Sequence, residues 1–121
     1  MQVMITSVVG VTFANKKYGV NRQEIIKRLS GKEKVYLKRE PKNRFDSNAV
    51  AVMVVREDGD LKIGYIKAEL AGILSEFWNY YKFNAAIKEI RNGNEEKPWG
   101  ISLEIRKFRR NLKKKRRKRR E

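Results

Sequence analysis

The tightest constraint on the fold is a pair of apolar segments joined by a single turn. Residues 49–55 are apolar without a break, residues 61–66 are largely so, and Glu57-Asp58-Gly59-Asp60 lies between them. Asp-Gly supplies the positive φ angles of a tight hairpin, so the two segments pair antiparallel. A strand as apolar as residues 48–56 has to be covered on both faces. That calls for a sheet wrapped around a core rather than one lying open to water. The apolar run is also far too short to span a membrane, which takes about 20 residues.

The remaining segments extend this sheet. Residues 3–5 and 8–13 are rich in β-branched side chains and predict a strand that breaks near Ser7. Asn21-Arg22-Gln23-Glu24 has capping-box spacing, with Asn21 as N-cap and Glu24 reaching back to it. Ile25, Ile26 and Leu29 follow, and Gly31 closes a helix of about ten residues. Residues 34–39 alternate as a strand, and residues 40–47 form a loop rich in side chains that bond to their own backbone. Leu70, Ile73, Leu74, Phe77, Trp78 and Tyr81 recur at helical spacing, which predicts a second helix with Phe77 and Trp78 in the core. Residues 82–91 and 99–108 read as two final strands around a polar turn. In the second, Ile101, Leu103 and Ile105 face in, while Ser102, Glu104 and Arg106 face out. The order β–α–β–β–β–α–β–β, mostly antiparallel, places the chain in the α+β class, as a small curled sheet or partly open barrel.

Composition narrows the chemistry. The 121 residues contain no Cys and no His, which removes disulfide scaffolds, zinc fingers, thiol nucleophiles and histidine acid–base catalysis. No Gly-rich phosphate loop and no close carboxylate cluster is present, and Glu57-Asp58-Gly59-Asp60 lacks the later ligands of a metal loop. The expectation is no catalytic residue, no metal, no cofactor and no enzyme activity. Thirty Lys and Arg stand against fourteen Asp and Glu, a net charge of +16. Residues 106–121 hold twelve of the cations and one acid, leaving a net of only +5 on residues 1–105. Residues 1–108 therefore read as one mildly basic domain and residues 109–121 as a polybasic tail, unstructured until an anion neutralises it. Such a tail grips phosphates without choosing a sequence, or else only solubilises or targets the chain. Residues 1–11 lack a basic leader and alternate like a strand, so no signal peptide is expected. The expected location is the cytoplasm, nucleoid or nucleus, away from membranes.

Three blocks carry a family signature. Val8-Val9-Gly10-Val11-Thr12-Phe13 comes first, then Leu37-Lys38-Arg39-Glu40-Pro41-Lys42-Asn43-Arg44-Phe45-Asp46-Ser47-Asn48-Ala49-Val50-Ala51-Val52, then Ile63-Gly64-Tyr65-Ile66-Lys67-Ala68-Glu69-Leu70-Ala71. In order and spacing they resemble a HIRAN domain over roughly residues 5–106. The resemblance implies an OB-like barrel of about six strands with two helices. In members fused to fork-remodelling helicases it also implies a site for the 3′-hydroxyl end of single-stranded DNA.

The residues themselves suit such a site. Arg39, Lys42 and Arg44 surround Phe45, so phosphates meet cations while an unpaired base meets a ring, a contact worth about 1–3 kcal/mol. The competing reading of Phe45 is a ring tucked onto the barrel, and the resemblance favours the site. Asp46 would repel an internal phosphate, yet can accept a hydrogen bond from a free terminal hydroxyl. It could equally form an Asx turn with Asn48, for which a structural role is expected. The resemblance adds Phe13 against the terminal base, with Thr12 standing where other members carry a basic residue. It places Tyr65 where a known member has a His, Lys67 as a phosphate contact and Trp99 near the nucleotide, though Lys67 could equally be a solvent-facing lysine at a helix start and core packing suits Trp99 as well.

Taken together, the sequence predicts a non-catalytic module that recognises single-stranded DNA ends, preferably the 3′-hydroxyl terminus, in repair or replication. RNA is the second nucleic-acid candidate, and a helicase or repair protein is the expected protein partner. The alternative is a protein–protein adaptor tethered to nucleic acid by its tail. Oligomeric state is not encoded in any of these features.

Overall fold

The computed structural model describes residues 2–15 and 19–110. Six strands and two helices follow in the expected order: β1 (Gln2–Val9), α1 (Arg22–Lys27), β2 (Val35–Arg39), β3 (Val50–Val54), β4 (Leu61–Ile66), α2 (Ala68–Glu76), β5 (Tyr81–Arg91) and β6 (Gly100–Arg109). The spatial order is β2-β3-β4-β1-β6-β5, and every neighbouring pair is antiparallel. A bridge from Lys34 to Ala86 brings the β2 edge to β5, so the sheet curls into a nearly closed barrel.

The hairpin that constrained the fold is present. All five residues of β3 are buried, as a strand covered on both faces must be. Val50, Val52, Val54, Ile63, Ile101, Leu103 and Ile105 fill the barrel, with Ile26 of α1 and Leu74 of α2 packed onto them. Each such burial is worth about 1.5–3 kcal/mol.

β1 joins the two halves of the sheet. It does not break at Ser7, as its sequence suggested, but changes partners there: residues up to Ser7 pair with β6, whereas Val8 and Val9 pair with Ile66 and Tyr65 of β4. The backbone crosses so closely at that point that a Cβ on Gly64 would clash with the Val9 carbonyl oxygen and the Val8 side chain. The strand then stops at Gly10, whose φ of +70° turns the chain. Val11, Thr12 and Phe13 therefore form a turn rather than more strand.

Both helices are shorter than their sequence patterns. Asn21 does cap α1, but its side chain accepts from Gln23 N, and no bond returns from Glu24. The helix ends before Gly31 because the Glu33 carboxylate accepts from the Ser30 and Gly31 backbone N–H groups and draws the chain away. α2 ends at Glu76, where turns at residues 77–80 redirect the chain into β5. Tyr81 thus belongs to a strand, and Phe77, expected in the core, is 40% exposed. Trp78 keeps its core role, packed on Phe83. Ser102, expected on the outer face, is buried and accepts a hydrogen bond from Arg91 Nη1 at 2.6 Å. Of the expected unstructured tail, Arg109 instead ends β6 and Arg110 donates to the Tyr80, Trp78 and Tyr81 carbonyls, while residues 111–121 lie outside the described residues.

Candidate functional site

The loops that carry the sequence-derived candidates converge on Tyr65. Register slips by one residue between Val52 and Met53 of β3, which makes Ile63 the extra residue on β4. In a regular pleat, residues three apart face opposite ways. The bulge instead puts Lys62 and Tyr65 on one face, where Lys62 Nζ donates to Tyr65 Oη at 2.7 Å. Tyr65 Oη in turn donates to Glu40 Oε1 at 2.8 Å. Glu40 also pairs with Lys62 and accepts from Asn43 Nδ2.

From Glu40 the network runs into the basic loop. Asn43 Oδ1 accepts from the backbone N–H of both Phe45 and Asp46, and Asp46 Oδ1 accepts from Asn48 N at 2.9 Å. The loop is thereby fixed by its own side chains while its tip stays in water: Phe45 is 94% exposed. Burial alone would push the Glu40 carboxyl up, but the bonds from Lys62, Asn43 and Tyr65 hold it below the usual glutamate value. Burial likewise works against the Lys62 ammonium, and Glu40 and Tyr65 outweigh it, so Lys62 sits above the usual lysine value.

On the other side of Tyr65 lies the turn bearing Phe13. Arg22, the first residue of α1, is only 7% exposed. Its Nη1 donates to the Gly10 carbonyl at 2.8 Å and its Nε to Asn15 Oδ1 at 2.9 Å, while Asn15 Nδ2 donates to the Lys62 carbonyl. The guanidinium stands 5.5 Å from the Tyr65 ring centre. A methyl group placed on Gly10 would touch Arg22 Nη1, the Phe13 ring and the Tyr65 ring, all at 3.5–3.7 Å. Leaving that methyl out makes a notch walled by one cation and two rings. Phe13 itself is 67% exposed.

The structure thus brings together Phe13, Tyr65, Phe45 and Asp46 through one hydrogen-bonded chain. Lys42 and Arg44 are exposed on the same loop as Phe45, with no ion-pair partner among the described residues. Arg39 ends β2 half-buried, with its Nε shielded and unpartnered. Lys67 is exposed at the N-cap of α2, two residues past Tyr65, and makes no capping bond. Trp99 stands apart from this group. Its ring packs on the core, and its backbone N and O are both bonded by the Gln23 side chain, which also holds the Val11 carbonyl.

Sequence reasoning missed Arg22, Glu40, Lys62 and Asn15. Arg22 left one signal, since a cation in the first turn opposes the helix dipole and so calls for some other reason to be there. Among the described residues no group of three or more acidic side chains could hold a metal ion, and no helix is long and apolar enough to cross a membrane.

The model of the HIRAN domain family matches residues 1–108. Among solved structures, the chain is similar to the crystal structure of the HIRAN domain of human HLTF. The TM-score is 0.59 with 21% sequence identity, over 88% of this chain and 74% of that one. At that identity the likeness establishes the fold. No curated protein matches the chain significantly.

Proposed function

The chain belongs to the HIRAN domain family, whose members in general bind DNA and are not catalytic; on that premise we propose that it captures single-stranded DNA ends through their 3′-hydroxyl, in repair or replication. The observation that carries this reading is Phe45, a large apolar ring held almost wholly in water on a loop that side-chain hydrogen bonds keep in place. A ring kept exposed at that cost is suited to stacking on an unpaired base. The alternative of a ring tucked onto the barrel does not fit its exposure. Phe13 supplies a second exposed ring across Tyr65, and Arg39, Lys42, Arg44 and Lys67 supply positive charge for phosphates.

Asp46 reads the end. Its Oδ1 is engaged by Asn48 N, and its Oδ2 has no hydrogen-bond partner among the described residues. The Asx turn and the end-reading role are therefore compatible, since the turn aims the carboxylate while one oxygen stays open to a hydroxyl. The polybasic tail adds affinity without sequence preference, with a salt slope of about −0.7 per phosphate neutralised.

Fluorescence anisotropy with matched oligonucleotides ending in 3′-hydroxyl or 3′-phosphate tests the reading. The hydroxyl form should bind tighter, and Asp46→Ala should remove that preference, about tenfold or more for a hydrogen bond to a charged group, with less effect on binding of the phosphate form. Equal affinity for both ends in the wild type would sink it. One observation favours the adaptor as a second reading: Ile73 of α2 and Phe77 and Tyr80 of the turn that follows it are exposed apolar side chains. Under that reading the 3′-end makes no difference to binding.

A further inference from the structure

Arg22 is the buried cation of the candidate site, and no carboxylate among the described residues balances it. It is more than nine-tenths buried, and both of its recorded partners, the Gly10 carbonyl and Asn15 Oδ1, are neutral. No carboxylate among the described residues lies within ion-pair distance of it. Glu40, the acid of the network, is committed to Lys62. A buried cation with no anionic partner is unfavourable. Its place in the first turn of α1 opposes the helix dipole as well. Both penalties fall away once an anion sits against it.

The surroundings say where that anion would sit. Arg22 Nη1 walls the Gly10 notch together with the Phe13 and Tyr65 rings, and its Nη2 has no hydrogen-bond partner among the described residues. A nucleotide stacked on Phe13 carries its phosphodiester at its edge, within a few ångströms of its base. We infer that Arg22 is the phosphate ligand of this site, holding one particular backbone linkage next to the base on Phe13, in a division of labour with Asp46 at the hydroxyl. The inference rests on the reading of the chain as a binder of single-stranded DNA ends. It adds a cation that sets position along the strand, where the tail and the exposed Lys42 and Arg44 set only affinity.

A neutral-linkage scan decides it. Oligonucleotides with a methylphosphonate at one linkage at a time, counted from the 3′ end, are titrated against the full chain and against Arg22→Gln. The wild type should lose about 10- to 100-fold affinity at one linkage, and Arg22→Gln should bind that oligonucleotide and its unmodified parent equally. If both proteins show the same positional profile, Arg22 only buttresses the turn and the inference is overturned, while the end-binding reading stands. If the wild type binds none of the oligonucleotides, the end-binding reading fails and this inference goes with it. Should Arg22→Gln not fold, the Arg22 Nε–Hε resonance of the unaltered protein gives the same decision. It should shift with the normal oligonucleotide but not with the one neutral at that linkage, and an identical response to both overturns the assignment.

Discussion

Two tyrosines of this barrel donate to carboxylates at nearly the same distance, yet the two bonds do different jobs. Tyr36 Oη donates to Asp60 Oδ2 at 2.7 Å, and Asp60 Oδ1 accepts from Arg56 N, which ties off the hairpin turn. Tyr65 Oη donates to Glu40 Oε1 at 2.8 Å, and there the carboxylate also holds Lys62 and Asn43. The Asp60 pair is exposed and joins β2 to the turn between β3 and β4. The Glu40 pair is half-buried and links loops far apart in sequence, those bearing Phe13 and Phe45. Near-equal geometry therefore says little about worth. What decides is how much water is excluded and how many groups lose a partner when one is removed.

The sharpest way to break the comparison is Glu40→Ala. It leaves the Lys62 ammonium partly buried without its acid and frees Asn43, so thermal denaturation should show a loss of about 2–3 kcal/mol, accompanied by weaker oligonucleotide binding as the Phe45 loop loosens. A loss confined to stability, with affinity intact, would show that the network does not position the loop.

The acid limb of the stability profile tests the Glu40 pair next. Glu40 is held below the usual glutamate value, so its contribution is complete above the unfolded value and fades as pH falls through the folded one. Lys62 is held above the usual lysine value, so its contribution is complete below the unfolded value and is lost as pH rises through the folded one. Melting temperature against pH should therefore fall less steeply for Glu40→Gln than for wild type between about pH 3 and 5. Parallel acid limbs for the two proteins would contradict the assignment.

The smallest effect belongs to Tyr36→Phe. Removing an exposed hydroxyl from an exposed aspartate should leave both stability and oligonucleotide affinity close to wild type, as chemical denaturation and anisotropy would record. A binding defect here would mean that the hairpin end also takes part.

The same contrast marks what the sequence could tell. The hairpin was legible because Asp58-Gly59 and the apolar runs beside it act within a few residues of one another, and the family blocks placed Phe13, Phe45, Asp46 and Tyr65 in candidate roles. Helix lengths were not legible. Side-chain bonds from Glu33 end α1, and the turn after Glu76 borrows the aromatic spacing of a helix, so Phe77 looked like core although it faces water. The network itself was the least legible part. It depends on a one-residue bulge at Ile63 that turns Lys62 and Tyr65 to one face, and no alternation of residue types announces such a slip. Arg22 was hidden for a related reason: its partners lie in the turn before α1 and on β4, reached only once the barrel has curled.

The change of partners along β1 bears on how this chain reaches its native state. β1 is paired along most of its length with β6, and Ser7 meets Ser102 across 95 positions of sequence. Topologies dominated by such distant pairings fold slowly. On the ribosome the β2–β3–β4 meander can assemble early, while Val3 and Ile5 wait unpaired until residues 100–109 emerge to receive them. Until β6 is made, β1 leaves an apolar strand edge on offer, a state in which holding chaperones or rival strands compete with the barrel's own closing partner.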